Sequence, residues 1–260
     1  MTSIRHIADE VAQALAYAKQ SGADQLIVTP LLYPSGSMVV VRIDEGPEGY
    51  FVSDYGCGAR EISMMGSGDR TFRRIAKKAC EAYAIRFTDD LFFDVDVPRE
   101  ALVTAVISVA NASKTCVEQT ALAVAAAERD TRRELLWSHL EKAFPSSRII
   151  HGAEVNGASD RWEFDASLQR NDHQVLFEIV SPTGGSVNAA VTKFLDIRDL
   201  GADVFGRVAV TVDREKTPHL ALLARNARIV GLRSPASEYA AQCRKTGPDL
   251  SHNVAFRQGA

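Results

Sequence analysis

Two acidic residues in the second half of the chain, Asp165 and Glu178, have the types and spacing of a metal-binding pair. They lie in two short apolar segments, residues 161–168 and 173–181, which the turn-forming residues 170–172 separate into consecutive strands. Two strands of one hairpin can place such carboxylates side by side at one end of a sheet. Glu178 interrupts an apolar run, where an ionised carboxylate is costly unless a cation or hydrogen bonds compensate it. The pattern therefore predicts a Mg²⁺ or Mn²⁺ site, and such a metal supports hydrolysis of a phosphodiester.

The elements that must position this pair follow one another in the order helix, three strands, helix, strand. The alanine- and charge-rich segment 115–144 predicts one long helix or two, and Ser186 is predicted to cap the later helix. The predicted strands are residues 148–155, 161–168, 173–181 and 208–212, and the later helix is residues 187–200. A further helix and strand follow at residues 219–226 and 228–232. The second half is thus predicted to be an α/β (α+β) domain with an α-β-β-β-α-β core.

On these residues, segment 130–232 resembles the PD-(D/E)XK nuclease superfamily, which implies a restriction-endonuclease-like fold and metal-dependent cleavage of DNA. Asp165 matches the first acid of the family motif and Glu178 the second, but Val180 occupies the lysine position. Some members of the superfamily take their lysine from the following helix, where this chain has Lys193. The resemblance therefore assigns Lys193 the role of stabilising charge on the phosphate.

The family often has a further acid on the preceding helix, for which Glu134 is the first choice and Glu141 the second. The simpler alternative is that Asp165 and Glu178 pair with cations such as Arg161 or Arg170, and that Lys193 is a solvated surface lysine.

The first half is predicted to be a smaller α+β domain with a helix at residues 4–20 and an antiparallel meander over residues 26–53. The segments 28–30, 38–41 and 52–56 resemble a family of uncharacterised bacterial and phage domains with a TP-strand-turn-strand-D-x-G pattern. That resemblance covers residues 5–112 and implies no activity. Asp54 and Gly56 are predicted to form an Asx-type turn in which glycine takes a positive φ.

A helix predicted at residues 69–86 carries five basic residues on one broad face. Cations near a helix start oppose its dipole, so helix stability does not explain them, whereas contact with phosphate does. Solvation of these side chains is the alternative. The five residues are Arg70, Arg73, Arg74, Lys77 and Lys78.

Composition narrows the remaining classes of function. The net charge of −3 means that any nucleic-acid contact must use a local basic face. The four cysteines form no CxxC pair, and no secretory signal or membrane-spanning run is present, so the cytoplasm is the expected location. A nucleophile elbow, a Walker loop and a dinucleotide-binding GxGxxG are also missing from the sequence.

The predicted domains are residues 1–114 and 115–250, followed by a disordered tail at 251–260. The leading hypothesis is a metal-dependent, nuclease-like protein that acts on DNA in a phage, mobile element or defence locus. The alternative is a non-catalytic adaptor, inhibitor or nucleic-acid-binding module on a degenerate nuclease fold. A protein partner and a homodimer both remain open.

Overall fold

The chain forms two units that divide within one long helix, between Glu128 and Arg129. The computed structural model describes residues 4–21, 24–47, 49–66, 68–88, 91–170, 173–201 and 205–244. The dividing helix, α4, spans Leu102–Ala143 without interruption. The boundary therefore lies later than the predicted 114/115, because α4 residues from Ala105 to Val117 pack into the core of the first unit. The predicted tail lies outside the described residues.

The first unit contains an antiparallel sheet and three helices before α4. In chain order the elements are α1 (Ile4–Ala14), β1 (Tyr17–Ser21), β2 (Asp24–Leu32), β3 (Met38–Gly46), β4 (Gly49–Ser53), α2 (Cys57–Met64), α3 (Asp69–Tyr83), β5 (Arg86–Phe87) and β6 (Phe93–Val97). The strand order is β1-β2-β3-β4-β6-β5. Each neighbouring pair in this sheet is antiparallel, as the sequence predicted.

Three details of this unit differ from the prediction. Helix α1 ends at Ala14 rather than at residue 20, because the next segment pairs with β2 as the exposed strand β1. Strand β2 continues past Pro30, which lies in an irregular stretch where the register with β3 shifts. Helix α2 was not predicted.

The second unit contains the C-terminal end of α4 and a five-stranded mixed sheet. Its elements are β7 (Arg148–Asn156), β8 (Arg161–Arg170), β9 (His173–Val180), α5 (Gly184–Arg198), β10 (Phe205–Thr211), α6 (Leu220–Asn226), β11 (Arg228–Gly231) and α7 (Ala236–Arg244). The strand order is β11-β10-β9-β8-β7. Strands β7, β8 and β9 are antiparallel neighbours, whereas β10 runs parallel to both β9 and β11. The predicted mixed α/β class and the order helix, three strands, helix, strand are both present.

Helices cover both faces of this sheet, which explains why β9 is apolar along most of its length. On one face, Leu136 and Leu140 of α4 belong to the same apolar cluster as Phe177 of β9. Phe194 of α5 packs against the other face, together with Leu176 and Val180. Glu178 is therefore a charged residue in a strand that is buried on both sides.

Helix α5 is fixed to the β7–β8 connection through the carboxylate of Asp196. This carboxylate accepts hydrogen bonds from the backbone N–H and hydroxyl of Ser159 at 2.9 and 2.5 Å, and from Trp162 Nε1 at 2.7 Å. A Cβ on Gly157 would lie 1.9 Å from Asp196 Oδ2, so only glycine fits there. Since Asp196 follows Lys193 by three residues, the same contacts fix Lys193 relative to β8.

No helix among the described residues is long and apolar enough to cross a membrane.

Candidate functional site

Asp165 lies where the ladder between β8 and β9 ends. The last paired residues in this direction are Ala166 and Phe177, so continuation of the register would place Asp165 opposite Glu178. Instead of a ladder bond, Asp165 Oδ2 accepts a hydrogen bond from the Ile179 N–H at 2.7 Å. The side chain thus replaces a backbone acceptor at the point where the strands separate, and Asp165 is buried.

Arg133, on the last part of α4, is the cation that pairs with Asp165. Its Nε donates to Asp165 Oδ1 at 2.6 Å, and its Nη2 donates to Glu163 Oε1 at 2.8 Å. One turn further along α4, Trp137 Nε1 donates to the backbone oxygen of Asp165 at 2.9 Å. Helix α4 therefore holds both the side chain and the backbone of Asp165.

Lys193 reaches the second acid from α5. Its Nζ lies 2.6 Å from Glu178 Oε1 and donates a second hydrogen bond to the backbone oxygen of Glu163 at 2.7 Å. The side chains of both Lys193 and Glu178 are largely buried, with 19% and 13% of their surface exposed. Lys193 and Glu178, which the sequence analysis assigned to one site, are therefore in direct contact.

Glu178 retains unused coordination capacity. Its Oε2 atom is fully buried and has no hydrogen-bond partner among the described residues. Burial raises the pKa of Glu178 from 4.5 to about 7, against the lowering effect of the Lys193 ammonium. The negative charge of Asp165 raises this pKa further. An acid in this state is compensated by a proton or by a further cation.

The predicted acid on the helix does not join this cluster. Glu134 is exposed, and its neighbour Arg133 faces Asp165, because consecutive helical residues point about 100° apart. The second choice, Glu141, is 62% exposed and lies 3.7 Å from His151 Nε2. In the described residues no group of three or more metal-ligating side chains is present.

Of the two arginines that the sequence analysis named as alternative partners for Asp165 and Glu178, the one whose side chain is described contacts a different acid. Arg161 forms an ion pair with Glu154, on the neighbouring strand β7. The side chain of Arg170 lies outside the described residues. Val180, at the family's lysine position, is completely buried among apolar residues that include Phe194. Lys193 contacts Glu178 from α5, the helix that covers this face of the sheet.

Sequence reasoning missed Arg133, Glu163 and Trp137. A signal for Glu163 was present, since residues 163 and 165 of one strand share a face. For the other two, the spacing of Arg133 and Trp137 by four residues would have placed both on one helix face.

The carboxylates of Asp165 and Glu178 supply part of the coordination shell that Mg²⁺ requires. Mg²⁺ is commonly held by one or two carboxylates together with waters and substrate phosphates. Glu178 Oε2 offers an unpartnered oxygen, and each oxygen of Asp165 accepts one bond in the described structure and has a second lone pair. Asp165 and Glu178 can therefore serve as a two-carboxylate donor set.

The predicted basic face is present on α3, in the first unit. Helix α3 turns Phe72 and Ala76 inward, and the side chains of the five predicted residues are all exposed. Those residues are Arg70, Arg73, Arg74, Lys77 and Lys78. Helix α3 therefore carries an exposed basic face on the side opposite Phe72 and Ala76.

Asp54, also in the first unit, has a structural role. Its Oδ1 accepts the Gly56 N–H at 3.1 Å, and Gly56 has a φ of 73°, as predicted for an Asx-type turn. Its carboxylate also accepts hydrogen bonds from the Phe93 N–H at 3.0 Å and the Ser113 hydroxyl at 2.7 Å. Asp54 thus joins β4, β6 and α4.

Comparisons with known proteins add little to this geometry. No protein-family model matches the chain, and no curated protein gives a significant match. Among solved structures, the crystal structure of a protein of unknown function, AF1548, is 15% identical over 41% of this chain, with a TM-score of 0.24. The chain covers about half of that protein's length, 53%. A similarity of this size carries no argument about fold or function.

Proposed function

We propose that the second unit is the core of a divalent-metal-dependent nuclease that acts on DNA. The observation that carries the proposal is the state of Glu178. It is a buried carboxylate with one oxygen on the Lys193 ammonium and the other without a partner. It lies beside a second carboxylate, Asp165, at the open end of a strand ladder. The resemblance to the PD-(D/E)XK superfamily assigns catalytic roles to the same three residues.

In this proposal Asp165 and Glu178 hold Mg²⁺ or Mn²⁺, which would supply Lewis-acid polarisation of the phosphodiester and a water of lowered pKa. Lys193 has three N–H donors, of which Glu178 and the Glu163 carbonyl take two. The third is free to donate to a phosphate oxygen and to offset the negative charge that builds up there. Arg133 holds Asp165 in place through Oδ1.

The basic face of α3 would bind the DNA backbone, since phosphate contacts position a nucleic acid without reading its sequence. We further propose that the protein acts in the cytoplasm and that its gene belongs to a phage, mobile element or defence locus.

The proposal predicts cleavage of DNA by the purified protein in Mn²⁺, with no cleavage in EDTA. Asp165→Asn should remove most of this activity, because the amide cannot supply the charge that the metal requires. The measurement is the initial rate on a labelled duplex and on a labelled single strand. Glu215→Gln, an exposed acid of the same unit, is the matched control and should cleave normally. Equal rates for the wild type and Asp165→Asn would refute the proposal.

A specific observation favours a second candidate, a non-catalytic binding module. Arg133 already neutralises Asp165 at 2.6 Å, and Val180 is buried where the family has its lysine. The ion pairs Arg133–Asp165 and Lys193–Glu178 can stabilise the two acids in a site that has lost its activity. A module of this kind would bind DNA or a protein partner without cleaving DNA, and its binding would be unchanged by EDTA.

A further inference from the structure

Three arginines of the second unit come together around the beginning of β10. Arg207 lies on β10, Arg198 is the last residue of α5, and Arg228 is the first residue of β11. Arg207 and Arg198 both donate hydrogen bonds to Asn226, and Arg228 is paired across the ladder with Val208, the residue after Arg207. In the parallel register, Arg207 lies opposite Leu176, whereas Glu178 lies opposite Ala209, so this cluster is displaced along β9 and β10 by two residues from the acidic pair.

Arg207 is the buried member of the cluster, with 9% of its surface exposed. Its Nε donates to the backbone oxygen of Asn226 at 2.9 Å. Its Nη1 is fully buried and has no hydrogen-bond partner among the described residues. Within that part of the chain, no carboxylate forms an ion pair with Arg207.

The other two arginines add positive charge instead of compensating it. Arg198 is exposed and donates to Asn226 Oδ1 at 3.4 Å, and its Nε lies 3.9 Å from Asp199 Oδ1. Arg228 donates to the backbone oxygen of Gln242. Burial, together with the charges of Arg198 and Arg228, lowers the pKa of Arg207.

Buried charges in proteins are paired or hydrogen-bonded, because an uncompensated one is costly to keep. The bond to the Asn226 carbonyl uses one of the five N–H donors of Arg207, so anchoring the end of α6 does not account for the guanidinium. A neutral donor would anchor that carbonyl without the cost of charge burial. Arginine is suited to one class of ligand in particular, the oxyanions whose two oxygens match its planar fork.

We propose that Arg207, Arg198 and Arg228 form a binding site for a phosphate-type oxyanion. The anion lies at the mouth of the cluster, where Arg198 is exposed, and Arg207 supplies the charge beneath it. The group is either a free phosphate or phosphate monoester, or a phosphodiester of a nucleic-acid backbone. The inference does not depend on nuclease activity, since it needs neither a divalent metal nor cleavage.

The test is thermal unfolding of the full chain in EDTA, in which inorganic phosphate or sulfate replaces chloride at matched ionic strength. With a Kd on the order of 1 mM and the oxyanion at about 20 times that concentration, we expect the wild-type Tm to rise by about 5 °C. Arg207→Met removes the charge at similar side-chain length and should abolish this rise. Arg214→Met, an exposed arginine just after β10, is the matched control and should keep it.

A second variant covers the case in which Arg207→Met does not fold. Arg198→Gln changes an exposed residue and should weaken phosphate binding by about tenfold in a calorimetric titration, as the loss of one charged hydrogen bond does. A short oligonucleotide separates the two sources of phosphate. If Arg198→Gln weakens its binding too, the site takes the nucleic-acid backbone, and if not, it takes free phosphate.

Two results would overturn the inference. One is a wild-type Tm that is the same in phosphate, sulfate and chloride. The other is a rise in phosphate that survives in both Arg207→Met and Arg198→Gln, since the oxyanion would then bind elsewhere.

Discussion

Replacing Lys193 with methionine is expected to lower kcat for DNA cleavage by about 10²–10³-fold, the usual cost of removing one preorganised donor to developing negative charge. Methionine keeps most of the length and apolar surface of the lysine stem, so α5 should still pack through Phe194. The metal ligands Asp165 and Glu178 stay in place, and the loss should therefore fall on kcat more than on substrate binding.

The control for this prediction is Lys216→Met, which makes the same change at a lysine that is 79% exposed. It should leave kcat unchanged. A Lys193→Met protein that cleaves at the wild-type rate would show that the ammonium on Glu178 is only a structural ion pair.

The second large effect concerns stability and pH, and it does not require any activity. Burial raises the pKa of Glu178 from 4.5 to about 7, so the folded protein holds this proton more tightly than the unfolded chain does. Between these two pH values the folded state binds more protons, and the free energy of unfolding must fall as the pH rises. A difference of about 2.5 pH units corresponds to about 3 kcal/mol, a loss that is complete above a pH of about 7.

Glu178→Gln should remove this dependence, because glutamine resembles the protonated acid and does not titrate. The free energy of unfolding of Glu178→Gln relative to the wild type should therefore increase by about 3 kcal/mol between pH values of about 4.5 and 7.5. Urea unfolding at several pH values in EDTA measures it. Glu215→Gln, at an exposed acid of the same unit, is the control and should run parallel to the wild type. If the curve for Glu178→Gln is also parallel to the wild type, the folded state does not raise the pKa of Glu178.

Much of the second unit could be predicted from the sequence because its signals are local. Turn-forming residues separate β7, β8 and β9, and the apolar run of β9 reflects burial on both faces. Lys193 was assigned to Glu178 by the resemblance to the PD-(D/E)XK superfamily, and the apolar residues of α5 that face the sheet place its side chain on that side.

The partner of Asp165 was not predicted in the same way. Helix α4 is rich in alanine and in charged residues along its exposed part, and the choice of Glu134 overlooked that Arg133 shares its helix face with Leu136 and Leu140. Tertiary packing makes this the inward face, since Leu136 and Leu140 are buried in the core of the second unit.

The prediction that the first helix extends to residue 20 was wrong for a related reason. Strand β1 is exposed at every residue and therefore has no buried face to give a period of two. Only its pairing with β2 makes it a strand.

If Asp165 and Glu178 together hold a divalent metal, as we propose, calorimetric titration with Mn²⁺ will measure that binding. The titration is made at about pH 8, above the pKa of Glu178, where its carboxylate is ionised. We expect the wild type to bind one ion saturably and both Glu178→Gln and Asp165→Asn to bind it at least about tenfold more weakly, since loss even of an outer-shell partner costs about 10–100-fold. The same Mn²⁺ affinity in all three proteins, or no binding by the wild type, would contradict it.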